Sequence, residues 1–457
     1  MVPGVNAPLL PVEDVGVACV EAALGAAARL HEARTGERLP PGLDRDQVRA
    51  CLVSERLFRV AGEPTGPGFA PASRFWRTAD GWVRTHANFP WHREALLRAV
   101  GAADEAGLAA AIAARSAEEV EAAAFAAGGV AAKVRTAAEW RAHPQGAAVA
   151  AEPLVARERL GDAAPRCSKT VHTADNEHRK PADLPAPAAG VRVLDLTRVI
   201  AGPVCARFLG ALGADVLRLD PPERPDFEPG QPADKLLGKR SAILDLAAGP
   251  GARRLEALLA DADVVLLGYR PGALARFGLD PEALAERHPG RVIMELAAWG
   301  HTGPWHERRG FDSIVQAASG IAAIEAGPDG TPGALPCQLL DHGTGYLAAA
   351  AVMDALVDQR ERGGTHLARL SLARTAHWLL GEGEGRRGVS PSRPPRKETE
   401  AASVAHAAWD ETGAAFAVAL DDEPTIAAVP PPGSLGGAPL RWRVPASRYG
   451  AAEPTWA

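Results

Sequence analysis

Asp341 stands at a hinge in the sequence. It closes the apolar run Cys337-Gln338-Leu339-Leu340 and is followed at once by His342, Gly343, Thr344 and Gly345, then by an alanine-rich stretch. The pattern predicts a carboxylate exposed where a strand turns into a helix, with the glycines forming the turn, a usual place for chemistry. Such a carboxylate is either a reacting group or the N-cap of the helix that follows. A second candidate is Thr197-Arg198-Val199-Ile200-Ala201-Gly202-Pro203. It follows an apolar strand and places Pro203 at a suitable first helical position, where free N–H groups and the helix dipole suit a phosphate or other anion. A packing role for Gly202 fits the same residues. Neither GxGxxG nor GxxxxGK[ST] occurs, so no dinucleotide fingerprint or P-loop is supported. Two glycine-containing turns, Ala298 to Pro304 and Arg308-Arg309-Gly310-Phe311-Asp312-Ser313, make a loop able to reach into a cleft.

The elements that must hold these residues show a strand-then-helix rhythm. Strands are expected at Val191 to Leu196, Val216 to Leu219, Ala242 to Leu246, Val264 to Leu267, Val292 to Leu296 and Leu367 to Ser371. Helices are expected at Pro203 to Leu212, Gly251 to Leu259, Pro281 to His288, Ile314 to Ile321 and Tyr346 to Gln359. This alternation implies βαβ units and an α/β, doubly wound, mostly parallel Rossmann-like sheet, with ligands at the carboxyl ends of its strands. The first part of the chain reads differently, as a smaller α+β domain. Amphipathic helices are expected over Val12 to Thr35 and Leu43 to Val60, and Asp80-Gly81 signals a hairpin between aromatic-bearing strands. Ser116 with Glu119 forms a capping box for the last of three further helices. Phe75, Trp76, Trp82, Phe89 and Trp91 are candidates for lining a ligand pocket, but aromatics flanking a hairpin more often bury area, so the core is their expected place.

The divisions expected are a smaller domain at 1–155, a linker at 156–187, the large domain at 188–380, a flexible Gly/Pro/Arg-rich linker at 381–400, and a tail at 401–457 that completes the fold. The chain has 457 residues and a formal net charge of −6, so nucleic acid and anionic membrane are excluded as bulk partners. No apolar run approaches the ~20 residues needed to span a bilayer, and the N-terminus carries no basic stretch before an apolar segment. The five cysteines are isolated, which fits reduced thiols in a cytoplasm. Cys167, His172 and His178 are too irregularly spaced for a metal site, and no metal is expected.

Taken together, VRVLDLTRVIAGPVCARFLGALGADVLRLD (191–220), GKRSAILDL (238–246), ADVVLLGYRPGALARFGLD (262–280), GHTGP (300–304), GFDSIVQAASG (310–320) and LLDHGTGYLAAAAVMDAL (339–356) resemble class III coenzyme A transferases. That group includes formyl-, carnitine- and succinyl-CoA transferases and 2-methylacyl-CoA racemases. Residues 74–145 resemble the smaller domain that ordinarily follows the large one, here placed before it. The resemblance implies an acyl-CoA:carboxylate CoA transferase in which Asp341 attacks the thioester, giving an aspartyl anhydride and then an aspartyl-CoA thioester. Backbone N–H groups of Gly343 or Gly345 would support the oxyanion. Val199, Ile200, Ala201, Gly202, Arg276 and Arg309 would contact CoA, which is a substrate and not a permanent cofactor. The partners implied are an acyl-CoA, a small carboxylic acid and a second copy in a homodimer. Ile200 stands where formyl-CoA transferases carry glutamine, and Phe311 where the racemases carry the histidine of G-H-D. A racemase would therefore need His342, His301 or His377 beside Asp341. A catalytically silent CoA-binding subunit is the third reading. Trp299, Phe311 and Tyr346 are candidates for the acyl pocket.

Overall fold

The computed structural model describes residues 9–65, 68–166, 186–388, 417–422, 425–444 and 446–457. Cys167, His172 and His178 lie outside the described residues, as do 389–416 of the second linker and the tail.

Seven strands form the central sheet: β1 (Ala156–Gly161), β2 (Arg192–Leu196), β3 (Asp215–Asp220), β4 (Arg240–Ile243), β5 (Val264–Leu267), β6 (Val292–Ala297) and β7 (Thr365–Ser371). Their order is β4-β3-β2-β5-β6-β7-β1, parallel except for β1, which runs antiparallel along β7. The chain builds outward from β2 in one direction, then returns to its other side at β5, so the order reverses between β2 and β5. That is where an open α/β sheet leaves a crevice. Sheet burial on both faces explains the continuous apolar runs: all four residues of β5 and all six of β6 are buried.

Alternate residues of each strand serve two cores. Val193, Val264, Leu266 and Met294 face one core, shared with α1 (Val12–Thr35), α2 (Ala201–Ala211), α5 (Asp312–Ser319), α6 (Leu339–Arg362) and α7 (Leu372–Gly388). Leu194, Val265, Leu267 and Ile293 face the other, covered by α3 (Gly249–Asp261) and α4 (Pro281–Arg287). The first helix of the chain is thus packed in the core of the large sheet. A separate antiparallel sheet, Phe75–Arg77, Trp82–Thr85 and Ala131–Lys133, turns through Asp80-Gly81 as its sequence requires. Ser116 and Glu119 form the capping box. The tail pairs Thr425–Ala428 with Arg59–Val60, and Ser434–Leu435 with Pro41–Gly42.

Several sequence expectations are corrected. Leu43 to Val60 is broken into two short helices, Arg45–Cys51 and Ser54–Leu57, and a strand at Arg59–Val60. Residues 156–161 of the expected linker form β1, whose mostly exposed, charged ARERLG suits an edge strand. Helix α7 continues through 381–388, the first part of the expected flexible linker. No strand precedes Asp341. Helix α6 begins at Leu339, so Asp341, Gly343 and Gly345 all lie within it and none is in a turn. Its residues are buried on every side through Met353, which accounts for a helix without a polar face. Gly345 permits this packing, because a Cβ there would stand 2.5 Å from the Ala201 carbonyl and 2.8 Å from Val204 Cβ.

Candidate active site

The carboxyl ends of the parallel strands surround a cleft of about 770 Å³. Leu196, Asp220, Gly268, Ala297 and Leu372, each at or just beyond a strand end, line it, as the sheet topology demands. The switch-point loops meet tightly: Thr197 is bound by Asp195, its N–H and hydroxyl both reaching Oδ1 at 3.0 and 2.5 Å, and a Cβ on Gly202 or Gly268 would stand 2.3 or 2.8 Å from Thr197. Asp195 is in turn paired with buried Lys239 at 2.8 Å. Val199 takes φ of 65°, an uncommon conformation for a β-branched residue, and lines the cleft.

Of the residues proposed from sequence, Asp341, Val199, Ala201, Arg276 and Arg309 come together in this cleft. Ile200 and Gly202 do not line it. Ile200 is the residue before α2 and packs against the core, while Gly202 allows the close approach of Thr197. Pro203 is the third residue of α2 and not the first. Gly343 and Gly345 are also removed from the oxyanion role, since their N–H groups point along α6 toward carbonyls four residues back. Of the acyl-pocket candidates, Phe311 lines the cleft, whereas Trp299 and Tyr346 are buried in the core.

Asp341 sits in the first turn of α6 and is only 6 % exposed. Burial, then the neighbouring Asp312 carboxylate, hold its carboxyl well above the usual range; Lys235 and the Ala201 N–H act in the opposite direction, and Glu55 adds to the rise. Asp312 Oδ2 accepts the Asp341 N–H at 3.0 Å. Burial pushes the Asp312 carboxyl up to about 7 against the hydrogen bonds it accepts. The carboxylates therefore form a tightly coupled pair in which a second negative charge is costly.

Basic groups dominate the rest of the lining. Arg198 is fixed by Asp226, with nitrogens at 3.0 and 2.6 Å from Oδ1, and Asp226 is also held by buried Arg218 at 2.7 Å. Arg224, Arg270, Arg276, Arg308 and Arg309 also face the cleft. Arg309 is half-buried and its guanidinium is driven down by burial, then by Arg270 and Arg224. Such a crowd of cations suits a ligand carrying several negative charges. Arg224 and Arg270 escaped the sequence reading, although Arg270 belongs to the GYRPG turn after β5.

The other wall comes from the front of the chain. Phe89 and Trp91 stack at 4.8 Å with an 11° interplanar angle and line the cleft beside Phe311 and His92. Trp76 alone of the expected core aromatics is fully enclosed; Phe75, Trp82, Phe89 and Trp91 are half-buried. Phe311 stacks on His86 at 3.8 Å, and His92 is 5.8 Å from Phe311. Burial, then Arg309, Arg198 and Arg224, bring the His92 imidazole down to about 3, so it is neutral at physiological pH. His342 and His301 are engaged elsewhere, His342 with Glu55 at 3.0 Å and His301 with the Leu370 carbonyl at 3.1 Å, and neither they nor His377 line the cleft. His92 is thus the histidine that sequence reasoning missed; only the packing of the small sheet over the strand ends brings it into the cleft that Asp341 also lines.

Residues 188–409 match the family described as CoA-transferase family III. Among curated relatives, a protein of Mycobacterium tuberculosis named "Probable fatty acyl-CoA transferase" is 36% identical over 190 residues, covering 39% of this chain and 48% of the relative. A succinate–glutarate CoA-transferase of Agrobacterium fabrum is 33% identical over 211 residues, covering 42% and 52%. The chain therefore spans about half the length of the curated relatives it matches. A crystal structure of a CaiB/BaiF family protein from Brucella suis aligns at 29% identity and a TM-score of 0.42, over 47% of this chain and 60% of that one.

Proposed function

We propose, from the match of residues 188–409 to CoA-transferase family III, an acyl-CoA:carboxylate CoA transferase with Asp341 as its nucleophile. The observation that carries the reading is the Asp341 carboxyl opening, from the first turn of a buried helix, into a cleft lined by six arginines at the strand ends.

An Asp341 oxygen attacks the thioester carbon, the C–S bond breaks, and CoA leaves as a thiolate, giving an aspartyl anhydride. The thiolate attacks the Asp341 carbonyl of that anhydride, releasing the acyl group as its free acid and forming an aspartyl-CoA thioester. The acceptor carboxylate attacks this thioester and regenerates the thiolate, which then takes the acceptor acyl group and frees Asp341. Arg276, Arg309, Arg224 and Arg270 would hold the phosphates of CoA by paired N–H donors. Val199 and Ala201 would border the chain leading to the thioester. The substrates are an acyl-CoA and a small carboxylic acid. We read the protein as a cytoplasmic homodimer, in keeping with isolated cysteines; among the described residues no helix is long and apolar enough to cross a membrane, and Cys19, Cys51, Cys205 and Cys337 are buried and unpaired.

A second reading, a 2-methylacyl-CoA racemase, is favoured by one observation: His92 lines the cleft that contains Asp341, beside the Phe311 that stands at the racemase histidine position. A neutral imidazole and a carboxylate on the two faces of the α-carbon are what proton exchange requires. Incubation with a panel of acyl-CoAs and labelled free acids separates the readings. Label is expected to enter thioester, and Asp341→Asn to lower the rate at least about a thousandfold. Transfer that survives in Asp341→Asn removes the nucleophile. Exchange of the α-hydrogen with heavy water without label transfer favours the racemase, and CoA-ester binding without either reaction favours a silent subunit.

A further inference from the structure

Helix α6 lacks a cap of its own: Gln338, the residue before it, makes no side-chain hydrogen bond to its first turn. The cap comes from another element. Asp312, the first residue of α5, is 1 % exposed, and its carboxylate accepts the Asp341 N–H at 3.0 Å and the Leu340 N–H as well. Its other oxygen accepts the Gln316 side-chain amide. These donors are all neutral amides and burial outweighs them, so the negative charge of Asp312 is costly where it stands, beside the residue proposed to attack the thioester. The charge on Asp341 faces Asp312 from α5, Glu55 from Ser54–Leu57, Lys235 from the turn at 234–236 and the Ala201 N–H from α2. Glu55 is itself neighboured by His342 and Arg56, and the Cys337 thiol lies near Asp312 and Glu55.

We propose that Asp312 is a positioning residue for the transfer reaction: its carboxylate fixes the turn that carries Asp341 and, by like-charge repulsion, opposes the anion that attack requires, thereby setting the pH range in which attack runs. The inference rests on the transferase reading for its consequence in catalysis, but its physical content concerns Asp341 alone. An anion poorly stabilised by its surroundings is a stronger base and attacks a carbonyl more readily, so the repulsion that delays ionisation also favours the step that follows. A purely structural cap would hold the turn and leave the titration untouched.

Asp312→Asn separates these roles, because its amide oxygen still accepts backbone N–H groups while the charge is gone. The Asp341 carboxyl carbon, labelled with 13C and assigned by its loss in Asp341→Asn, is titrated in wild type and Asp312→Asn, with circular dichroism confirming the fold. The midpoint is expected to fall by about one pH unit or more in Asp312→Asn. The acid limb of kcat/KM for acyl-CoA should move the same way, whereas Asp312→Ala, which loses the cap too, should lose kcat. Asp312→Ser supplies a second uncharged variant if Asp312→Asn does not fold. An unchanged Asp341 midpoint in a folded uncharged variant overturns the inference. A lowered midpoint in a protein that transfers no CoA supports the inference and defeats the transferase reading.

Discussion

At the scale of single residues, the coupled carboxylates have a cost that stability measurements can read. Asp341 and Asp312 keep their protons in the folded chain to higher pH than an unfolded aspartate, which releases its proton near pH ~4. The folded state therefore binds more protons, and the stability associated with the pair is present below about pH 4 and is lost as pH rises toward and through the Asp312 value of about 7. Asp341→Asn removes one ionisable member, so it should flatten this decline and stabilise the protein by about 1 kcal/mol or more near pH ~8. Thermal melts of both proteins across this range provide the check; equal pH slopes would contradict the coupling. Asp341 itself was legible from sequence because an acid beside two glycines interrupts an apolar run. Asp312 was not, because its role depends on a contact between residues 29 apart in the chain, although GFDS was part of the motif series. His92 was hidden for the same reason: PWH reads as a helix start, and nothing local says that it lines the cleft that Asp341 also lines.

Among elements, the glycines of α6 show where local chemistry misleads. Gly343 and Gly345 next to an acid read as a turn, yet both lie inside a helix buried on every side there: α2 presses too closely on Gly345 for a side chain, and α1 comes within tight contact of Gly343. A Cβ on Gly343 would stand 3.2 Å from Cys19 Sγ, and on Gly345 2.5 Å from the Ala201 carbonyl. Gly345→Ala should accordingly destabilise the protein by about 2–3 kcal/mol, although alanine has the better helix propensity. It should also lower transfer activity by displacing Ala201 from the cleft. Denaturant unfolding measures the first effect, and a stabilised Gly345→Ala variant would show that α2 and α6 do not meet as described. The parallel strands were legible because both-face burial writes continuous apolar runs such as VVLL and VIMELA. Strand β1 was not, because an exposed edge strand carries the charge pattern of a linker.

Across the whole molecule, the cleft is closed by parts distant in sequence. Phe89, Trp91 and His92 come from the front of the chain, the arginines from the loops after β2, β3, β5 and β6, and Asp341 from α6. The fold class was evident from the strand-helix rhythm, but the placement of the front segment over the strand ends was not, because no local pattern encodes how a small sheet docks. The charge of the cleft also runs against the charge of the chain: a net −6 protein gathers six arginines at one opening. Arg270→Ala and Arg309→Ala should each raise KM for acyl-CoA roughly tenfold with little change in kcat, and should weaken the salt dependence of binding. Steady-state kinetics at two ionic strengths tests this, and an unaltered KM in both variants would place the CoA phosphates elsewhere.

The proposed transfer runs through a covalent bond to Asp341, and trapping that bond is its most direct test. The protein is mixed with an acyl-CoA, quenched with hydroxylamine, digested and analysed by mass spectrometry. A hydroxamate on the peptide containing Asp341, dependent on acyl-CoA and lost in Asp341→Asn, is the result predicted. Turnover of acyl-CoA into a new thioester with Asp341 unmodified at every quench time would contradict it.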